Sequence, residues 1–182
     1  VTGLSGGGVC AGAGGQSYGL EQAGFENEAA VEIDPGACET LRLNRPDWHV
    51  IEKDVRKFDG LPYRGTIDLL AGGVPCPPFS IAGKQLGGDD ERDLFPEMIR
   101  LAGEIEPTAV MIENVRGLAG KRFEPYLENL RVQFEDKLNY EMDDRGLQAA
   151  DYGVPQLRPR FILVAMSPEA FERFAGPTAL DR

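Results

Sequence analysis

The stretch that organises this chain runs from Thr66 to Ser80 and reads TIDLLAGGVPCPPFS. Its apolar first half, closed by Gly72 and Gly73, predicts a buried strand with a flexible exit. The second half places Cys76 among prolines, each of which fixes φ and removes a backbone donor. Because this loop is a poor environment for a core residue, the sequence favours a thiolate nucleophile held at a fixed point.

A second apolar run, Ala109–Ile112, leads into Glu113 in the same manner. Open α/β sheets build their sites where the strands end at the carboxyl edge of the sheet. Cys76 follows one predicted strand and Glu113 ends the other. The two side chains therefore predict an active site at this edge.

Strand-like and helix-like segments alternate along the chain, which predicts an α/β fold. Strands are predicted over residues 28–33, 49–52, 66–71, 108–113 and 160–165, and helices over residues 16–23, 35–44, 94–105 and 123–138. The glycine-rich residues 3–8 predict a poor strand, since glycine offers no side chain to pack. The pattern indicates a doubly wound, mainly parallel sheet with helices on both faces. No linker or repeat divides the chain, so we expect a single domain over residues 1–182.

The composition argues against several classes of protein. No apolar run approaches the ~20 residues that span a bilayer, and the first residues lack the features of a signal peptide. We therefore expect a cytoplasmic protein. Three widely spaced cysteines argue against a disulfide framework, and the single histidine, His49, argues against a metal site. The net charge of −11 predicts weak binding to nucleic acid, because that binding depends on Lys and Arg.

A glycine-rich turn, CAGAGG at residues 10–15, opens a predicted helix. Such a turn lets a ligand approach the backbone at a helix N-terminus, although Ser17 replaces the last glycine of the dinucleotide pattern. Glu32 ends the next strand, about twenty residues on, where a carboxylate can bind ribose hydroxyls. Asp54 follows the third strand and can accept from the exocyclic amine of an adenine. A nucleoside site is the prediction, and a plain tight turn is the alternative.

Three motifs, in this order, resemble those of cytosine-5 DNA methyltransferases: Pro75-Cys76, Glu113-Asn114-Val115 and Gln156-Leu157-Arg158-Pro159-Arg160. The similarity extends from about Gly12 to about Ala165. It implies a Rossmann-like methyltransferase fold and the cofactor S-adenosylmethionine. The residues that the resemblance places around the cofactor are Gly12, Ala13, Gly14, Gly15, Glu32, Ile33, Asp54, Val55, Pro75 and Leu94. The family usually carries an aspartate and an aromatic residue where this chain has Gly8 and Cys10, which predicts reduced cofactor affinity.

The resemblance also implies the chemistry. Cys76 would attack carbon 6 of a cytosine flipped out of the duplex, and carbon 5 would then become nucleophilic. Glu113 would hydrogen-bond ring nitrogen 3 and the exocyclic amine, while Arg160 would contact the carbonyl oxygen. Supporting positions are Asn114, Arg158 and Gln156. Residues 79–85 would belong to a mobile loop that closes over the base. A structural alternative for Glu113 is a helix cap or an ion pair with Arg116.

Nothing after Ala165 resembles the target-recognition region or the later motifs of the family. We therefore expect a catalytic part that binds double-stranded DNA weakly and has little activity alone. A second chain or a missing C-terminal segment would complete it, and an excised fragment or a truncated relic is also consistent. The family resemblance suggests a restriction–modification role. Alternatives are an RNA (transfer RNA) cytosine-5 methyltransferase, a non-catalytic S-adenosylmethionine- or partner-binding module, and a nicotinamide-dependent oxidoreductase.

Overall fold

The computed structural model describes residues 3–75 and 93–180. Cys76 and the predicted closing loop, residues 79–85, lie outside the described residues. The strands are β1 (Leu4–Val9), β2 (Phe25–Glu32), β3 (Val50–Glu52), β4 (Leu69–Gly73), β5 (Ala109–Val115), β6 (Glu141–Gln148) and β7 (Pro159–Met166). The helices are α1 (Gly15–Gln22), α2 (Pro35–Asn44), α3 (Phe95–Ile105), α4 (Glu124–Leu138) and α5 (Pro168–Phe171).

The strands form one seven-stranded sheet in the order β3-β2-β1-β4-β5-β7-β6. Strands β1 to β5 run parallel, whereas β7 is antiparallel to both β5 and β6. The prediction of a doubly wound, mainly parallel sheet is therefore confirmed. The chain builds outward from β1 to β3 and then returns to place β4 on the other side of β1. This reversal leaves a crevice at the carboxyl ends of β1 and β4, where open α/β sheets bind ligands.

Helices pack on both faces of this sheet. The Cα of Gly8 in β1 faces Ser17 of α1, whereas that of Gly72 in β4 faces Met98 of α3. Gly8 is level with Ala71, the neighbour of Gly72, and successive strand residues point to opposite faces. Helices α1 and α3 therefore lie on opposite sides, with α4 packed on α3 and α2 packed on β2 and β3. No helix within residues 3–75 and 93–180 is long and apolar enough to cross a membrane.

The main hydrophobic core lies between the sheet and the pair α3–α4. Helix α3 contributes the buried residues Phe95, Met98, Ile99, Leu101, Ala102 and Ile105. Phe134 of α4 and Leu163 of β7 are fully buried in the same core. Burial alternates along β5, where Val110 and Ile112 are buried and their neighbours are only partly covered. Glu113 therefore points away from this core, onto the opposite face of the sheet.

Strand β1 is central in the sheet, so the expectation that residues 3–8 make a poor strand was wrong. A Cβ atom on Gly7 would lie 2.6 Å from Cδ1 of Ile67, and one on Gly8 would lie 2.8 Å from Oγ of Ser17. Side chains at these positions would hold the covering elements away from the sheet. The glycines thus allow close packing on both faces, and pairing with β2 and β4 supplies the order that β1 lacks by itself.

Strand β6 was not predicted, because its sequence EMDDRGLQ lacks the alternation of a half-buried strand. Within it Met142 alone is buried. The strand forms through pairing along its whole length with β7, from Glu141 opposite Met166 to Gln148 opposite Pro159. Tertiary pairing here overrides a weak local preference, and the charged residues of β6 discourage a further strand from joining this edge of the sheet.

The turn from β1 into α1 depends on Gly14. Its φ is 93°, a conformation that L side chains rarely adopt, and a Cβ atom there would lie 2.6 Å from Cδ2 of Leu41. The carbonyl of Gly14 accepts a hydrogen bond of 2.8 Å from the amide of Tyr18, which begins the helix. Gly15 differs from its neighbour, because nothing lies within 4 Å of its Cβ position.

We expect Gly14→Ala to lower the free energy of unfolding by about 2–4 kcal/mol, the sum of left-handed strain and overpacking. Gly15→Ala is the matched control. It should leave stability unchanged or raise it by up to about 1 kcal/mol, because alanine favours the helix. Urea denaturation of the two variants measures the difference. Equal stabilities would show that Gly14 does not constrain the turn.

Candidate active site

Two cavities open at the carboxyl edge of the sheet. The first, here called the Glu32 cavity, has a volume of about 330 Å³. Its lining includes Val31, Glu32, Ile33, Asp54, Val55, Pro75 and Leu94. The second, the Glu113 cavity, has a volume of about 540 Å³. Its lining includes Met111, Glu113, Leu147, Tyr152, Arg158, Arg160 and Ile162. Six of the ten residues predicted around the cofactor thus line the Glu32 cavity. Of the other four, Gly12 lines none of these cavities, Gly15 lines the Glu113 cavity, and Ala13, Gly14 and Gly15 line a third cavity beside α2.

The two cavities share a wall. Cys10 and Gly73 line both of them. Gly73 is level with Glu113 in the parallel pairing of β4 with β5, and a Cβ atom on Gly73 would lie 3.8 Å from Oε2 of Glu113. The two spaces are therefore adjacent, and Gly73 adds no side chain to the wall that they share. A group bound in the Glu32 cavity can approach one bound beside Glu113.

Glu32 is held by backbone donors. Its Oε2 accepts a 2.7 Å hydrogen bond from the amide of Gly12, and its Oε1 accepts from the amides of Ile33 (2.8 Å) and Asp34 (2.9 Å). The residue is only 8% exposed. Charge-assisted hydrogen bonds of this kind are short and strong. They fix the carboxylate at the cavity wall and connect the end of β2 to the glycine-rich turn after β1.

Asp54 occupies the other side of the Glu32 cavity, after β3. Its Oδ1 accepts from the amide of Arg56 at 2.9 Å, which starts a short 3-10 turn. Its Oδ2 lies 3.6 Å from the Arg56 guanidinium. Ile33 and Val55 add apolar surface between the two carboxylates, and Ile33 is 62% exposed. An exposed apolar side chain beside two fixed acceptors matches a nucleoside better than a purely ionic ligand.

Glu113 and Arg160 form the closest ion pair in the Glu113 cavity. Nε of Arg160 lies 2.5 Å from Oε1 of Glu113, and a guanidinium nitrogen of Arg158 lies 4.0 Å from the same oxygen. The antiparallel pairing places Arg160 opposite Val115, on the same face as Glu113. The pair is partly exposed, with 29% and 25% of the side chains accessible. A carboxylate and a guanidinium therefore face the same space. The alternative that Glu113 pairs with Arg116 is not what the structure shows.

Two other predicted residues lie away from this cavity. Asn114 points to the core face of β5 and is 1% exposed. Its Oδ1 accepts from the amide of Val115 at 2.8 Å, and its Nδ2 has no partner among the described residues. Gln156 is exposed, and its side chain forms no hydrogen bond within residues 3–75 and 93–180. Arg158 lines the cavity, but only half of its side chain is covered.

The residues on either side of the undescribed segment are fixed to the body of the protein. Pro75 lines the Glu32 cavity, and Leu94 lines it from the start of α3. Asp93 accepts from the amide of Phe95 at 3.0 Å and from the hydroxyl of Tyr126 at 2.7 Å. Burial and the neighbouring carboxylate raise the pKa of Tyr126, so its hydroxyl stays a donor. The nucleophile motif is thus bounded by residues that line the predicted cofactor site.

The structure adds residues that the sequence did not indicate. Leu147, Tyr152, Met111 and Ile162 form much of the apolar lining of the Glu113 cavity. Leu147 could not be found from the sequence because β6 was not predicted. Met111 and Ile162 appear as core residues in an apolar run, and only the strand register shows that they face the cavity. Tyr152 lies in a short 3-10 turn just before the Gln-x-Arg-x-Arg motif.

Cys10 has an unusual position at the shared wall. Its φ of 51° is positive, which is uncommon for a residue with a side chain. Burial, together with the charges of Glu32 and Asp54, raises the pKa of the Cys10 thiol to about 12. The thiol is therefore neutral and a poor nucleophile at neutral pH. Among the described residues there is no group of His, Cys, Asp and Glu side chains arranged to hold a metal ion.

Comparison with known proteins identifies a family model and several relatives that match this chain. The family model "C-5 cytosine-specific DNA methylase" matches residues 7–176. The type II methyltransferase M.NgoMIV of Neisseria gonorrhoeae is 63% identical over 169 residues, 93% of this chain and 54% of that protein. M.NaeI of Lentzea aerocolonigenes is 49% identical over 172 residues, 93% of this chain and 41% of its own length. The chain spans about half the length of these curated relatives.

One relative is covered more fully. The type II methyltransferase M.AquIA of Picosynechococcus sp. is 37% identical over an alignment of 182 positions, and the match covers 92% of this chain and 73% of that protein. Among solved structures, a prophage-encoded protein of Escherichia coli, assigned as a DNA modification methyltransferase, superimposes with a TM-score of 0.78. It is 27% identical, and the match covers 98% of this chain and 52% of that one. Spodoptera frugiperda DNMT2, at 22% identity and a TM-score of 0.70, shares the fold.

The raised pKa predicts that Cys10 reacts slowly. Cys10 is the remaining thiol in a Cys38→Ala/Cys76→Ala variant. With a pKa of about 12, about 10⁻⁴ of the Cys10 thiol is ionised at pH 8, whereas about 10⁻¹ of a thiol with the ordinary pKa of 9.0 is ionised. Iodoacetamide should therefore label it at least about 100-fold more slowly than free cysteine, and unfolding in urea should restore the ordinary rate. Folded and unfolded chains that label at similar rates would contradict the burial of this thiol.

Proposed function

The chain belongs to the C-5 cytosine-specific DNA methylase family, and from that premise we propose that it transfers a methyl group from S-adenosylmethionine to carbon 5 of a cytosine in DNA. The observation that carries the proposal is that the two cavities adjoin at Gly73 and Cys10, which line both of them. Methyl transfer requires a donor and an acceptor held side by side, and the carboxyl edge provides two adjoining spaces for them.

The residues of the Glu32 cavity fit S-adenosylmethionine. Glu32 presents a fixed carboxylate for the ribose hydroxyls, and Asp54 presents an acceptor for the adenine amine. Ile33, Val55 and Leu94 supply apolar surface for the ring. When bound, S-adenosylmethionine supplies the methyl group on a sulfonium. The aromatic residue that the family usually carries is replaced by Cys10, which lines the same wall with a smaller side chain.

The side chains of the Glu113 cavity suit a cytosine that has left the DNA stack. Its exocyclic amine can donate to Glu113, and its carbonyl oxygen can accept from Arg160. In the proposed step the Cys76 thiolate forms a bond to carbon 6, and the π electrons of the 5,6 double bond move toward carbon 5. Negative charge develops at ring nitrogen 3 in this step and is neutralised by a proton that Glu113, in its protonated form, donates to that nitrogen and takes back when the thiolate leaves. After methylation, loss of the proton on carbon 5 and departure of the thiolate restore the double bond.

DNA is the proposed substrate, and a role in restriction–modification is proposed with it. Three relatives with 63%, 49% and 37% identity are named type II methyltransferases. The likeness to DNMT2 shows the fold alone, so it gives no support to RNA as the substrate. Intact Glu113 and Arg160 in a shared cavity favour an active site over a non-catalytic binding module. We propose a cytoplasmic enzyme.

We also propose that further polypeptide, in a second chain or beyond these residues, completes the enzyme and supplies target recognition. The relatives M.NgoMIV and M.NaeI are about twice as long as the matched part. Helix α1, on the side of the sheet that Glu113 faces, packs on β1, β2 and β4, and its first residues, Gly15 and Gln16, line one end of the Glu113 cavity. Met111 and Ile162 line the same cavity from β5 and β7, and the described residues cover both side chains only partly. An additional segment would enclose this cavity and exclude water from it.

Glu32→Gln should weaken binding of S-adenosylmethionine by about 10- to 100-fold, since hydrogen bonds to a charged group contribute about 1.5–3 kcal/mol. The amide also brings an N–H group against the backbone donors that now surround the carboxylate. Glu26→Gln, an exposed change on the same strand, is the control. Isothermal titration with the cofactor measures both. Equal affinities would remove Glu32 from the cofactor site.

A covalent trap tests the reaction itself. The chain, alone and in place of the matching part of M.NgoMIV, is incubated with S-adenosylmethionine and duplex DNA containing 5-fluorocytosine. We expect the chimera to give a protein–DNA band on a denaturing gel and Cys76→Ala to abolish it, because fluorine cannot leave as a proton does. The chain alone should give a weak band or none.

The outcomes separate the two parts of the proposal. A folded chimera that binds DNA and cofactor but forms no Cys76-dependent band would refute the proposed reaction. A band from the isolated chain as strong as that of the chimera would refute the need for further polypeptide.

A further inference from the structure

The distribution of ion pairs separates the lysines and arginines into two groups. Most described arginines are paired with a carboxylate, as in Arg64 with Glu106, and at the edge that carries the site Arg56 is paired with Asp54 and Arg160 with Glu113. Arg122 is left out of the following comparison. Five other described lysines and arginines have no described carboxylate within ion-pair distance: Lys53, Lys57, Arg116, Lys121 and Lys137. Four of these five follow the carboxyl ends of β3 and β5. Within residues 3–75 and 93–180, these five cations thus lie mainly at the edge that carries the site, although the sequence contains 30 acidic residues.

The segment after β5 presents its cations on an ordered surface. Residues 116–122, here called the basic turn, contain two short 3-10 turns, Arg116–Ala119 and the start of Lys121–Phe123. Leu118 is fully buried and Phe123 is 5% exposed, so apolar anchors hold the turn to the core. Arg116 is exposed just before Leu118, and Lys121 is exposed between the two anchors. The turn contains three cations and no acidic residue.

The basic turn lies beside the Glu113 cavity. It begins three residues after Glu113, and its first part packs against β7, the strand that carries Arg160. Arg160 is opposite Val115, the residue immediately before the turn. Arg122 stacks its guanidinium over the ring of Phe123 at 4.5 Å, which restricts that side chain on the surface. Positive charge therefore continues outward from the mouth of the cavity.

We propose that the basic turn binds the phosphate backbone of duplex DNA beside the nucleotide whose base enters the Glu113 cavity, with Arg116 and Lys121 as the contacting residues. The inference rests on the proposed function and adds the surface that receives the DNA. When exposed lysines and arginines neutralise phosphates, the counterions condensed on the DNA are released, and this release favours binding. A local patch of this kind allows a protein with a net charge of −11 to approach a polyanion in one orientation. The contact carries no sequence information, which is consistent with a separate recognition region.

The test compares the salt dependence of DNA binding for the whole 182-residue chain. Fluorescence anisotropy with a labelled duplex of about 20 base pairs is recorded from about 20 mM salt upward, and log K is plotted against log salt concentration. Arg116→Gln/Lys121→Gln should reduce the slope by about 2, since each phosphate contact contributes about 0.9. Lys137→Gln/Arg173→Gln removes the same charge from α4 and the C-terminal region, and should leave the slope within about 0.5 of wild type.

Three outcomes would overturn the proposal: an unchanged slope in the Arg116→Gln/Lys121→Gln variant, equal losses in both double variants, or no binding by the wild-type chain at the lowest salt. Both pairs of residues are exposed, so thermal unfolding should confirm that the variants fold as the wild type does. The measurement involves neither cofactor nor Cys76. A failed covalent trap with an intact slope effect would therefore refute the proposed reaction alone, and the reverse result would refute the basic turn alone.

Discussion

The carboxylate of Glu32 is the interaction on which the carboxyl edge of this sheet depends. It accepts from Gly12 in the turn after β1 and from Ile33 and Asp34 at the end of β2. Two adjacent loops are thereby held in one geometry by a single buried group. That geometry sets the position of Cys10, which in turn forms the wall between the two cavities. A buried carboxylate that loses a hydrogen bond is destabilised. A movement of either loop would therefore break hydrogen bonds to Glu32 and weaken the link to the other loop.

Much of the fold could be predicted from the sequence, because apolar runs bounded by turn residues identify the central strands of the sheet. A short apolar run such as Ala109–Ile112 is most simply a buried strand. The alternation of such strands with helices then favours a mainly parallel sheet. The same reasoning predicted Glu32 and Asp54 as site residues, since Glu32 ends one strand and Asp54 follows another at the edge where sites form. The location of these carboxylates follows from strand order alone, and the structure adds the cavities that they line.

The remaining features depend on tertiary context that the sequence does not express locally. Strand β1 has glycines where a strand ordinarily packs side chains, and its order comes from neighbours on both sides. Strand β6 is charged and exists through its pairing with β7. The apolar lining from Leu147 and Ile162 follows from that pairing and was invisible without it. The basic turn could not be predicted for a similar reason. The net charge is a sum over the whole chain, whereas binding to phosphates depends on the exposed cations that have no carboxylate partner.

The ion pair of Glu113 with Arg160 has a consequence for which bases the cavity would accept under the proposed function. The pair joins Nε of Arg160 to Oε1 of Glu113 at 2.5 Å and leaves Oε2 of the carboxylate outside it. Cytosine would offer an amine to Glu113 and a carbonyl to Arg160, whereas thymine and uracil would place a carbonyl against the carboxylate. The group at carbon 4 would then decide which pyrimidine the two charges accept.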